Sequence, residues 1–159
     1  MLKEYFLRLY TYNHWANETY LAFFKKQKDR IPERIHLLFS HVVSAQTLWL
    51  KRIKDEKDLD AIHIWKIIPW EELEDMANKA TKNWLDYLKN ADQKEFDRIL
   101  SYVNFQKKPY QTIISDIIIH TANHATYHRA QFAVLLRQEN IDPPNTDFIT
   151  FSRVLSNQL

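Results

Sequence analysis

The sequence predicts an all-α protein: a four-helix bundle with one long connection before the last long helix. Three observations lead there. Apolar side chains recur at three- and four-residue spacing over four long stretches. There is no glycine, which argues against Gly-rich phosphate loops, dinucleotide-binding turns and tight primed hairpins, because all of these use glycine's backbone freedom. The 159 residues, 45% hydrophobic and 26% charged, suit a single domain over residues 1–159.

Each element has its own warrant. The first helix is expected over residues 2–28, with Leu2, Phe6, Leu9, Asn13, Ala16, Tyr20 and Phe23 facing inward. Pro32 marks the start of the second, with Asp29 as a cap before it. That helix runs to about residue 54, and its inner stripe is Leu37, Leu38, His41, Ala45, Leu48 and Arg52. A charged stretch, 55–60, and an apolar one, 62–68, form the next connection. Pro69, followed by Glu71 and Glu72, opens the third helix, since carboxylates are favoured at the positive end of the helix dipole. Its stripe is Leu73, Met76, Ala77, Ala80, Trp84 and Leu88. Over 91–108 the helical period fails, and 99–105 suits short extended segments. The last long helix is expected over 109–139. It should stop near Asn140, because asparagine substitutes for glycine in a left-handed C-cap and Pro143 and Pro144 bar continuation. A short terminal helix follows from Phe148.

With no cysteine, disulfides, thiolate ligands and a cysteine nucleophile are excluded. The first residues lack the apolar run of a signal peptide, and no stretch approaches the ~18 apolar residues of a membrane span. A cytoplasmic protein with no membrane partner is expected. A net charge of +2 gives no reason to expect a nucleic-acid partner, and the lysine-rich stretches 25–30 and 51–57 suit solvated helix ends.

The histidines carry the functional signal. Residues four apart lie about 40° from one another on a helix. His120, His124 and His128 therefore share a face with Ile113, Ile117, Thr121, Gln131 and Leu135, the stripe expected to be buried. Imidazoles in a core need partners, and hydrogen-bonded histidines and a metal site both satisfy that need. The His124–His128 spacing lets one helix offer two ligands to one ion, and His41 can supply a third from across the bundle. Three protein ligands and a free position characterise catalytic rather than structural metal sites. His120, about 6 Å further along the axis, is expected to line the pocket or to support a ligand by a hydrogen bond. Asn13, Gln46 and Gln131 are candidates to orient the ligand imidazoles. Arg129, about 100° round from His128, is expected in an ion pair or a dimer contact, and Tyr127 in packing. His14, His36 and His63 lack companions at ligand spacing and belong at surface or boundary positions. The Glu33-x-x-His36 pair has no second copy, which a di-iron bundle would require.

These residues give the chain a family likeness. Residues 12–17 (Tyr-Asn-His-Trp-Ala-Asn), 38–49 around His41, and the run His120-x-x-Asn123-His124-x-x-x-His128-Arg129-x-Gln131 resemble the DinB/YfiT-like family of metal-dependent four-helix-bundle proteins. So does the ending Pro143-Pro144-Asn145-Thr146-Asp147-Phe148. Ala130 stands where that family frequently has glycine. The resemblance implies that His41, His124 and His128 bind one divalent metal ion, zinc or nickel first among them, and that the protein is a homodimer. It also implies a transferase or related enzyme using a low-molecular-weight thiol as cosubstrate. Since the chain has no thiol of its own, the expectation is a metal-dependent S-transferase or hydrolase acting on a small electrophilic substrate. The alternative is a non-catalytic metal-binding or interaction bundle whose histidines serve stability.

Overall fold

Four long helices build the bundle in a computed structural model that describes residues 2–27 and 30–158. They are α1 (Leu2–Gln27), α2 (Glu33–Ile53), α3 (Trp70–Asn90) and α5 (Ile114–Gln138). A single 3-10 turn, Leu59–Ala61, interrupts the link from α2 to α3. Between α3 and α5 come a short helix α4 (Gln93–Asp97) and a hairpin of β1 (Ile99–Val103) and β2 (Pro109–Ile113), and α6 (Phe148–Leu155) closes the chain. The proposed cap Asp29 and the expected last residue of the first helix, Lys28, lie outside the described residues. Pro32 and Pro69 sit just outside their helices, as N-caps with ψ of 136° and 143°.

Tertiary contacts give the helix directions. Tyr10 packs on Trp84 and Lys25 pairs with Glu74, so α1 and α3 are antiparallel. The Tyr10 hydroxyl donates to the Ile118 carbonyl and the Tyr20 hydroxyl to that of Arg129, so α1 and α5 run together. His36 stacks on Trp70 while Trp84 Nε1 donates to the Gln46 carbonyl, which makes α2 and α3 parallel. Parallel neighbours need a connection as long as the bundle. The connection 54–69 is that crossover, while 91–113, the long connection the sequence predicts before the last long helix, joins antiparallel helices and holds α4 and the hairpin.

Rings fill the interior. Phe24, Phe39 and Phe132 meet mutually at centroid distances of 5.7–5.9 Å around one half of the core. Phe6, Trp84 and Phe96 anchor the other half. Each buried ring contributes roughly 1.5–3 kcal/mol through area removed from water. The expected single stripe on α2 is too narrow. Leu38 to Gln46 are all buried, because α3, α5 and the 54–69 connection surround this helix.

The last long helix begins at Ile114 rather than near 109. Residues 109–113 instead pair antiparallel with 99–103, Ile99 opposite Ile113 and Val103 opposite Pro109. Pro109 is tolerated as the first strand residue, where no ladder donor is required. The five-residue loop closes without glycine. Asn104 accepts from the backbone N–H groups of Gln106 and Lys108, both at 2.9 Å, and Lys107 takes the left-handed conformation (φ 58°). Helix α4 also escapes the periodicity, although Asp92 caps it by accepting from the Glu95 N–H at 2.9 Å. Asn140 does take the left-handed conformation (φ 57°) just past α5, and the terminal helix starts at Phe148 as expected.

Candidate metal centre

Antiparallel packing of α2 on α5 brings His41 opposite His124 and His128. Their six ring nitrogens include three Nε2 atoms that converge. His124 Nε2 lies 3.1 Å from His41 Nε2 and 3.1 Å from His128 Nε2, and the three ligand atoms are all within 4.8 Å of one another. His41 and His128 are buried and His124 is half-buried.

The opposite ring nitrogens determine what these Nε2 atoms are. His41 Nδ1 is 2.8 Å from the Ile64 carbonyl, which can only accept, so Nδ1 carries the proton. His128 Nδ1 is 3.0 Å from Gln131 Oε1 and donates likewise. A neutral imidazole holds a single ring proton, so both of these Nε2 atoms present lone pairs. His124 Nε2 can give one proton to one of them and leaves the other facing it unprotonated. Protonating the cluster instead is disfavoured. Burial pushes His124 down to about 3, with the neighbouring His128, His41 and His120 adding to the effect. Burial likewise lowers His41 and His128.

A cation resolves the arrangement. Two Zn–N bonds of ~2.0–2.1 Å at the tetrahedral angle put their nitrogens about 3.3–3.4 Å apart, close to the 3.1 Å found here. The donor set is neutral, preformed and turned toward one point, so the residues fit a divalent ion of the imidazole-preferring kind.

The connection 54–69 is part of the site, and nothing in the periodicity announces it. Besides the Ile64 carbonyl, it supplies Trp65, which stacks on His41 with ring centroids 3.7 Å apart and planes 4° from parallel. Ser40 and His36 on α2 hold the same segment. The Ile68 N–H donates to Ser40 Oγ at 3.0 Å and His36 Nε2 donates to the Ile68 carbonyl at 2.6 Å. Ligand and cover are therefore locked together.

The other expected site residues scatter. His120 is exposed and stands outside the triad, its ring 5.6 Å from that of His124 and 5.6 Å from that of Trp49. The stripe predicted to be buried is thus open at His120, although Ile117 and Thr121 beside it are buried. Gln46 is buried and its side-chain amide has no partner among the described residues; it does not reach an imidazole. Asn13 does not either. Its Oδ1 accepts from Arg129 Nη1 at 2.8 Å, alongside Asn17 Oδ1 at 2.9 Å, while Arg129 Nη2 donates to Thr126 Oγ1 at 2.8 Å. Arg129 is 2% exposed and lies over the Tyr12 ring with no carboxylate partner among the described residues, so it makes no ion pair there and is buried within the bundle instead of presented for a dimer contact. Tyr127, expected in packing, is 65% exposed. His14 is half-buried and His63 exposed, as their isolation suggests.

Beside the triad lies an open cleft of about 730 Å³, lined by Ile62, His63, Ile64, Trp65 and Lys66 on one side and Phe105 on the other.

Protein DinB of Bacillus subtilis (strain 168) is 24% identical over 163 aligned positions, covering 92% of this chain and 93% of that protein. The family model described as the DinB family matches residues 1–157. On that match over nearly its whole length, together with the helical bundle and the three gathered histidines, this chain belongs to the DinB family.

Proposed function

We propose that the protein is a metal-dependent enzyme that uses His41, His124 and His128 to hold one divalent ion, zinc or nickel, and acts on a small electrophilic substrate by transfer to a low-molecular-weight thiol or by hydrolysis. The observation that carries this reading is the convergence of three Nε2 atoms, two of them on rings whose Nδ1 is already tied to an acceptor. A divalent ion in such a site supplies Lewis acidity that favours ionisation of water or a thiol near neutral pH.

The chain's own residues do the rest. Ile64 and Gln131 hold two imidazoles in the tautomer that leaves Nε2 free. Trp65 shields the outer face of His41 from solvent. The half-buried His124 faces the open side, where His120 lines the approach. Because the sequence contains no cysteine, a reacting thiol must arrive with a cosubstrate.

No described helix is long and apolar enough to cross a membrane. Exposed Tyr127 and Val134 on α5, with Ile149 and Leu155 on α6, offer apolar surface for a homodimer.

The test is metal content by elemental mass spectrometry on untagged protein, with His41→Ala and His124→Ala alongside. About one ion per chain, lost in both variants, together with thiol-dependent turnover that stops on chelation, is the expected outcome. A wild-type protein that takes up neither zinc nor nickel on reconstitution overturns it.

A further inference from the structure

Arg52 is on the α2 stripe that also carries His41, and the metal site makes no use of it. The two are eleven residues apart, which on a helix is three turns plus about 20°, so both lie on one side of α2 with roughly 16 Å of axis between them. The Arg52 guanidinium is boxed by three rings. Its central carbon lies 4.9 Å from the Trp49 ring centroid, 5.3 Å from that of Tyr102 and 5.3 Å from that of Phe105.

What the box lacks is an anion. Among the described residues no carboxylate, carbonyl or hydroxyl accepts from the Arg52 side chain, although acidic partners are close in sequence. Lys51 takes Asp58 at 2.7 Å and Glu56 at 3.0 Å, and Arg98 takes Glu95 at 2.7 Å. Rings cover guanidinium faces, whereas its N–H donors point outward from the edge in the plane. A half-buried guanidinium covered in this way, with its edge unused, is prepared for a planar acceptor.

The box is continuous with the triad. Trp49 touches both Arg52 and the His120 ring, and His120 touches His124. Phe105 is shared between the box and the cleft whose other wall is Trp65.

We infer that Arg52, caged by Trp49, Tyr102 and Phe105, binds a carboxylate on the substrate and so holds an elongated, carboxylate-bearing small molecule with its far end toward the three histidines. The inference rests on the proposed function for its orientation but not for its test. Desolvation of Arg52 among the rings lowers its proton affinity, in keeping with a cation awaiting a counter-charge.

The experiment is isothermal titration calorimetry with 4-phenylbutyrate, its uncharged amide 4-phenylbutyramide, and phenyl phosphate. It uses metal-loaded and chelator-stripped wild-type protein, Arg52→Gln and Arg52→Lys, with metal content and thermal melting recorded for each. In stripped wild-type protein the carboxylate should bind at least about tenfold more tightly than the amide, the gain expected of a charge-assisted contact. Arg52→Gln should abolish that preference and Arg52→Lys should keep part of it, both with unchanged metal content. Equal binding of carboxylate and amide, no carboxylate binding at millimolar concentration, or tighter binding of the phosphate overturns the inference. So does a preference seen only with metal present, which would put the carboxylate on the ion and leave the metal reading intact. Failure to load metal would instead sink the proposed function while the stripped-protein comparison still judges Arg52.

Discussion

His128 and Arg129 are consecutive, yet they belong to opposite kinds of polar site. His128 faces α2 and joins a cluster of neutral rings that lacks a charge. Arg129 faces α1 and brings a charge into a pocket of neutral oxygens that supplies no counter-ion, only Asn13, Asn17 and Thr126. One site has the geometry to take up a cation and the other already contains one. The Arg129 pocket is closed and its guanidinium carries most of its hydrogen bonds internally, so its role is to tie α5 to α1. The histidine site is tied at the far nitrogens of His41 and His128, which leaves the near ones for a ligand. Side by side, they show that buried polarity becomes a binding site when the chain satisfies the outer atoms of a group and leaves the inner ones open.

The comparison can be broken most forcefully at Arg129. Arg129→Leu removes the donors for three buried or half-buried oxygens and should lower stability by about 2–5 kcal/mol in urea denaturation. Metal content should stay near one ion per chain. Loss of metal in a variant that remains folded would merge the two sites and defeat the distinction.

A smaller effect is expected at Gln131. Gln131→Ala frees the Nδ1 proton of His128 and should weaken zinc affinity by about 10–100-fold in competition with a chromophoric chelator, the usual cost of losing an outer hydrogen bond to a metal ligand. Its unfolding free energy without metal should change by less than about 1 kcal/mol, as for most substitutions away from the core.

The gentlest probe is pH. Folding holds His41, His124 and His128 below their ordinary values, so as pH falls the unfolded chain takes up protons first. Their contribution to stability is fully present above about 6.5, the unperturbed histidine value. It is lost progressively as the pH falls toward about 3, where folded His124 titrates. Metal-free protein should therefore melt at lower temperature at pH 5 than at pH 7.5, with the triple His→Gln variant showing a flatter profile. Equal slopes would show that the imidazoles are not held neutral by the fold.

Much of this was legible in the amino-acid order, and the reasons are physical. Long helices repeat their inner face every three or four residues, so α1, α3 and the histidine ladder of α5 stand out. The Asn140 stop also showed, because few side chains tolerate a left-handed backbone. Short elements hide for the converse reason: five residues of α4 or β2 are too few to display a period. The capping pair Asp92 and Glu95 was the one local mark of α4. At the site, the His124–His128 pair is legible from its spacing and His41 from its place on the inner stripe of α2, whereas Ile64 and Trp65 are not. One acts through a backbone carbonyl, which no residue type advertises, and the other reaches His41 only because the 54–69 connection folds back along α2. Asn13 is a candidate to orient the imidazoles on sequence grounds and bonds Arg129 instead, because a helix face tells which way a side chain points and not what lies opposite. What lay opposite was Arg129.

The stack of Trp65 on His41 gives the protein an optical gauge of its own. An indole stacked 3.7 Å from the His41 ring, and 54% exposed, is in van der Waals contact with that ring and senses its charge. Any ion drawing on His41 Nε2 polarises the imidazole beneath the indole, so occupancy is written into the emission of a single tryptophan. The other four, Trp15, Trp49, Trp70 and Trp84, do not stack on a triad histidine and serve as a constant background. A titration followed in the near ultraviolet, with Trp65→Phe as the blank, would read the centre without a dye, a tag or a substrate.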